Sequence, residues 1–156
     1  MSELEQVIVG DSAAAPPSHI LEGLNDELSH RKPAGAPHSI YEELWHITFW
    51  QQVTLDWIDG VETPFPASPL EGFPTVMDME KEDCMQLCQR FVAANEKAGA
   101  VAREEPRLDS LIRCPSRPGQ PLRVTKTITA TSMSVAIQRL RAMQFVSSLL
   151  DRNYTY

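Results

Sequence analysis

The chain is poor in the residues that several common functions need. It has three cysteines, Cys84, Cys88 and Cys114, an odd number too small for a disulfide framework, so they are read as reduced thiols. Basic residues are outnumbered, with Lys+Arg 14 against Asp+Glu 21 and a net charge of −7, which argues against a sequence-independent grip on phosphate backbones and so against nucleic acid as a partner. No apolar run approaches the roughly 20 residues that span a bilayer. The opening Met1-Ser2-Glu3-Leu4-Glu5 lacks the basic and apolar regions of a secretory signal. A cytoplasmic protein with no membrane partner is therefore expected. There is no glycine-rich phosphate loop, no Ser-His-Asp arrangement and no Cys-x-x-Cys pair. Histidine is scarce and unevenly placed: four residues, His19, His30, His38 and His46, with none after position 46.

What remains is an ordinary globular composition, 42% hydrophobic and 22% charged over 156 residues, enough for a single domain covering 1–156. Its organising stretch runs from Pro37 through Trp45, Trp50 and Trp57 to Gly60 and holds all three tryptophans. Ser39 with Glu42 three residues later is a capping-box start, and Gly60 is a natural stop, so one long helix is predicted. At about 100° per residue, Leu44, His46, Ile47, Trp50, Val53, Thr54, Trp57 and Ile58 share one half of that helix. His46 thus lies among indoles on the apolar arc. An imidazole in that position needs a partner, because an unpaired buried polar group costs about 1–3 kcal/mol.

Around this helix the chain reads as alternating helices and breaks. Leu4 to Val9 suggests a broken helical turn. Ser18 caps a short amphipathic helix through Ile20, Leu21, Leu24 and Leu28, fading into Asn25-Asp26-Glu27 and ending near His30. Prolines 64, 66, 69 and 74 with Gly72 make 61–74 a crossover loop. Leu87, Phe91, Ala94, Ala98 and Val101 form a narrow stripe on a helix predicted over Met79 to Arg103, and its small residues imply a closely approaching neighbour. A second loop runs from Glu104 to Pro121. The stretch from Arg123 to Arg152 lacks glycine and proline; its start is β-branched, but Val135, Ala142, Phe145, Val146, Leu149 and Leu150 keep helical spacing, so a final long helix is expected. Helices joined by proline-rich connections, without a clear strand pair, predict an all-α four-helix bundle.

The run Gly35-Ala36-Pro37-His38-Ser39-Ile40-Tyr41-Glu42-Glu43-Leu44-Trp45-His46-Ile47, followed by Trp50, resembles the second-helix signature of the DinB-like four-helix-bundle superfamily. Leu21-Glu22-Gly23-Leu24 and Arg31-Lys32-Pro33 are similar to its first helix and loop. The resemblance implies a divalent metal, such as zinc or nickel, held by three histidines: one matching His46, and two from a His-x-x-x-His motif in the last helix, followed by Gly-Gln. It also implies metal-dependent hydrolysis or thiol transfer. This sequence departs from that pattern. Placing Gln138 on the family glutamine puts Thr131 and Val135 at the histidine positions, and placing Gln144 there puts Ile137 and Arg141 at them. Threonine is a poor ligand, valine and isoleucine are none, and arginine is a permanent cation.

The expected site is therefore a ligand pocket of His46, Trp50, Glu43 and Gln138, with His46 the one remaining family ligand and no cofactor expected. Glu43 could pair with His46 or join it as a second ligand, although a partly solvated acid is the plainer reading. His46 itself is read as a core histidine bonded to a backbone carbonyl or to a polar side chain of the last helix. Cys84 and Cys88, one turn apart, could chelate a soft metal or form a redox pair, but their place beside the apolar stripe favours plain packing. Cys114, between Arg113 and Pro115, has no identifiable base partner. Arg139 and Arg141 with Gln138 and Gln144 could meet an anion. Met133, Ile137 and Leu140 give the last helix a second apolar side, which predicts a homodimer. The expected function is a bundle with a degenerate metal site that binds a small molecule. The alternatives are a metalloenzyme with a site rebuilt around His46, and a structural partner protein.

Overall fold

The computed structural model describes residues 21–113, 119 and 121–124. They form an all-α arrangement of helices α1 (Asp26–His30), α2 (Ile40–Ile58), α3 (Val76–Lys81), α4 (Cys84–Arg103) and α5 (Glu105–Leu108). One two-residue antiparallel pair is added, β1 (Leu111–Ile112) with β2 (Leu122–Arg123), in the register Leu111 opposite Arg123 and Ile112 opposite Leu122. Among the described residues no helix is long and apolar enough to cross a membrane.

The tryptophan-rich helix forms where its signals place it. The Ser39 hydroxyl accepts from the Glu42 N–H at 3.2 Å, while the Glu42 carboxylate accepts from the Ser39 N–H at 2.6 Å, closing the reciprocal cap. At the other end Asp59, Gly60 and Val61 N–H groups bond back to Leu55, Trp57 and Asp56, with Gly60 at φ +80°, a conformation that favours glycine. The helix is covered on more than the predicted half: Tyr41, Thr48, Gln51 and Leu55, all off the arc, are buried too. The reason is its central place, with α1, α4 and the proline-rich segment all packed on it.

Helices α2 and α4 run parallel. The first half of α2 (Ile40, Tyr41, Leu44, Ile47) packs with the first half of α4 (Cys84, Leu87, Phe91). The second half (Val53, Leu55, Trp57, Ile58) packs with Ala94, Ala98, Val101 and Ala102, joined by Ile112 and Val124. The predicted stripe of α4 is buried along its whole length. Between the two apolar clusters lies a polar layer: Thr48 donates to the Leu44 carbonyl at 2.8 Å, and Gln51 Nε2 donates to Asn95 Oδ1 at 3.0 Å.

A parallel pair needs a crossover, and 61–75 supplies it by running back along α2. Trp57 Nε1 donates to the Thr63 carbonyl at 2.7 Å, Phe65 packs on Trp57 and Trp50, and Phe73 reaches His46 and His38. Prolines suit this path because a segment outside any ladder has few N–H groups to satisfy. Within it, Pro69–Gly72 forms one 3-10 turn.

Three expectations are corrected. Residues 21–24 form a turn closed by Leu24 N–H on the Leu21 carbonyl, and the helix begins after Asn25, whose side chain accepts from Leu28 N–H at 2.9 Å; Asn25 starts α1 where the sequence reading had the helix fading. The predicted Met79–Arg103 helix is two. Asp83 caps α4 reciprocally with Gln86, Thr75 caps α3 with Asp78, and the extended Glu82 between them accepts the Tyr41 hydroxyl at 2.6 Å and binds Arg90 with both carboxylate oxygens at 2.7 Å. An acid that caps has left the helix interior. Finally, the predicted loop 104–121 is not simply irregular: Pro106 lies in the first turn of α5, and Leu111–Ile112 pairs with Leu122–Arg123 just ahead of Val124, which is helical and joins Ile112 in the second cluster. The predicted helical turn before Gly10, the first part of the 18–30 helix and the last helix beyond Val124 lie outside the described residues.

Candidate functional site

The site is built where the returning segment meets α2. His46 faces the end of the 3-10 turn, and its Nδ1 lies 2.8 Å from the Gly72 carbonyl oxygen. A carbonyl only accepts, so Nδ1 carries the proton and, in the neutral ring, Nε2 keeps its lone pair. Among the described residues Nε2 makes no hydrogen bond.

Aromatic rings fix that imidazole. Phe73 stacks on it with ring centres 4.3 Å apart and planes 14° apart. The other face of Phe73 carries His38 at 4.1 Å, so one phenyl ring lies between two imidazoles. Trp50 stands edge-on to His46 at 6.4 Å, with Phe65 tilted against it at 5.3 Å. A side chain at Gly72 would crowd both rings: a Cβ there would sit 3.2 Å from His46 Nδ1 and 3.3 Å from Trp50 Nε1.

Glu43 is placed differently from either expectation. It is only 4% exposed, and its carboxylate accepts from His38 Nδ1 at 3.2 Å; no hydrogen bond joins it to His46. The carboxylate and imidazole pair, but the imidazole belongs to His38, which sequence reasoning left unassigned. The signal available was position alone, since His38 precedes the cap of α2 and Glu43 lies in its first turn. Gln138, Arg139, Arg141, Gln144, Cys114 and the second apolar face of the last helix lie outside the described residues.

The cysteines of α4 are brought together. Cys84, at the first helical position, is buried, and Cys88 is half-buried one turn on; both are free thiols. Hydrogen bonds from the Cys88 thiol and, behind it, the Ser29 hydroxyl favour a Cys84 thiolate and bring its pKa down to about 7, while that neighbouring thiolate and burial push Cys88 up. Tyr41 is the other perturbed group: burial, then the Glu82 charge, raise its phenol to about 12.

No histidine follows position 46 to supply the other two ligands of a three-histidine centre. Among the described residues no group of three or more His, Cys, Asp and Glu side chains converges as a metal site. The carboxylate nearest in sequence is engaged by His38. Each register of the family motif puts non-histidine residues at both remaining ligand positions.

A family model described as DinB superfamily matches residues 18–144, well over half of the chain. No curated protein and no solved structure matches.

Proposed function

This chain belongs to the DinB superfamily, and we propose that within it the protein is a small-molecule-binding, non-catalytic bundle whose three-histidine metal centre is degenerate. The observation that carries this reading is the His46 bond to Gly72. A ring N–H on a backbone carbonyl is the outer-shell contact that orients a ligating histidine and leaves the opposite nitrogen available. One imidazole nitrogen cannot close a metal site by itself, yet it can accept one hydrogen bond from a bound molecule. The walls beside it, Phe73 and Trp50 with Phe65 behind, suit a planar organic molecule carrying a single N–H or O–H donor. Gln138 of the last helix completes the proposed pocket, and a homodimer through the second face of that helix is proposed with it.

The test uses untagged protein purified without a metal column. Elemental analysis is expected to find no stoichiometric divalent metal in the wild type. Tryptophan fluorescence is expected to respond to members of a planar heteroaromatic fragment panel, and the response to disappear in His46→Ala. One equivalent of zinc or nickel, lost in His46→Ala, would replace this reading with that of a rebuilt metalloenzyme. A panel without any response would leave a structural role.

A further inference from the structure

Cys84 and Cys88 lie four residues apart on one face of α4, one turn from each other. Helical residues at this spacing hold their Cβ atoms about 5–6 Å apart, whereas a disulfide needs about 3.5–4.5 Å. The pair therefore cannot close on itself without unwinding the first turn of α4, where the Asp83–Gln86 cap and the Tyr41 bond to Glu82 hold the chain. A bridging atom between the two sulfurs removes that mismatch.

The surroundings choose the kind of atom. Cys84 is 2% exposed and packed against Leu87 and Tyr41, so a bound ion would be screened from water on that side. Cys88 opens on a groove of about 450 Å³ between Leu21 and α4, lined also by Met85, Gln89 and Val92, which gives a path from solvent. Among the described residues no third protein donor joins the pair, which leaves a tetrahedral zinc site two ligands short. Of the nearby carboxylates, Asp26 has its Oδ1 taken by the Cys84 N–H at 2.8 Å. Two sulfur donors alone match a soft d10 ion that accepts linear, two-coordinate binding.

We propose that Cys84 and Cys88 form a two-thiolate site for a soft monovalent cation of the copper(I) class, separate from the His46 pocket. On binding, each thiol releases one proton, two sulfur–metal bonds form, and no electron is transferred. The two negative charges on sulfur and the single positive charge of the ion leave a net charge of −1. That charge sits at the positive end of the α4 dipole, with His30 beside Cys84 and the acids Asp26 and Asp83 opposing it from α1 and the α3–α4 junction.

The experiment is an anaerobic titration of the full, reduced, untagged chain with copper(I) held by a chromophoric chelator, which reports each equivalent withdrawn. Four proteins are compared: wild type, Cys114→Ser, Cys84→Ser and Cys88→Ser, each checked for helicity and melting temperature. The expected result is one equivalent withdrawn by the wild type and by Cys114→Ser, and loss of that uptake in both other variants. Cys88 is half-buried, so Cys88→Ser keeps the test valid if Cys84→Ser fails to fold. Copper(I) is also expected to raise the melting temperature of Cys114→Ser and leave that of Cys88→Ser unmoved. No withdrawal by the wild type, uptake retained by folded Cys88→Ser, or uptake lost in Cys114→Ser would each overturn the proposal.

Discussion

Replacing Gly72 with alanine tests whether the returning segment is truly keyed to His46. The added Cβ would lie 3.2 Å from His46 Nδ1 and 3.3 Å from Trp50 Nε1, both closer than ordinary van der Waals contact, and 3.4 Å from His46 Cε1, at the edge of it. Neither ring has slack. The imidazole is held by its bond to the Gly72 carbonyl and by Phe73 at 4.3 Å, and the indole by Phe49 and Phe65 at 5.5 and 5.3 Å. Relief requires one ring to leave its well, at about 0.5–1.5 kcal/mol, and strains or breaks a hydrogen bond worth about 0.5–1.5 kcal/mol. Alanine returns about 0.4–1 kcal/mol by restricting the unfolded chain. The balance is a loss of about 1–2 kcal/mol, or about 3–6 °C in a chain of this size. Gly119 provides the control, since nothing lies within 4 Å of a Cβ there. Urea unfolding followed by tryptophan fluorescence measures both variants, and the emission of Trp50 should shift in Gly72→Ala alone. Equal stability for Gly72→Ala and Gly119→Ala, with unchanged emission, would refute the keyed contact.

Two further outcomes are expected. Tyr41 is neutral in the fold, and its raised pKa stabilises the protein below the ordinary phenol value of 10.0; that contribution is lost as pH climbs from 10 toward about 12. A wild-type minus Tyr41→Phe difference titration at the tyrosinate band should show the missing phenol ionising near 12, and ionisation at 10 would contradict the buried bond to Glu82. In the polar layer, Gln51 Oε1 has no hydrogen-bond partner among the described residues and Nε2 depends on Asn95, so Asn95→Leu alone should cost about 1–3 kcal/mol by leaving a buried amide unpaired. The double variant Gln51→Leu/Asn95→Leu should recover part of that in urea unfolding, and strict additivity would show that the two amides do not depend on each other.

The sequence disclosed elements whose signals are local. The α2 cap is written in Ser39 and Glu42, the end of that helix in Gly60, and the inward stripe of α4 in Leu87, Phe91, Ala94, Ala98 and Val101, because each follows from spacing within a few residues. Where two local readings competed, the pattern misled. Asp83 falls inside the helix predicted over Met79 to Arg103, and its reciprocal bonds with Gln86 make it instead the cap that separates α3 from α4. Asn25 looked like the fading end of a helix and is the start of one. The short pairing of Leu111–Ile112 with Leu122–Arg123 was hidden because its two halves lie ten or more positions apart and neither is long enough to show a period.

The site was legible only in its anchor. Position on α2 singled out His46 and Trp50, but the groups that define what His46 can do arrive from a proline-rich stretch with no periodicity to read. Phe73 stacks on one face of its ring and the Gly72 carbonyl accepts a hydrogen bond from its Nδ1. That stretch also supplies what spacing along α2 could not. Counting along a helix relates residues one turn apart, which raised His46 as a partner for Glu43 beside the plainer reading of a partly solvated acid. Phe73, inserted between the two imidazoles, instead keeps His38 on the Glu43 side and turns His46 toward Gly72. The chemistry of the site thus rests on a crossover whose length and course follow from α2 and α4 being parallel. A parallel pair forces the chain to travel back along the first helix before starting the second, and that return places Gly72 against His46.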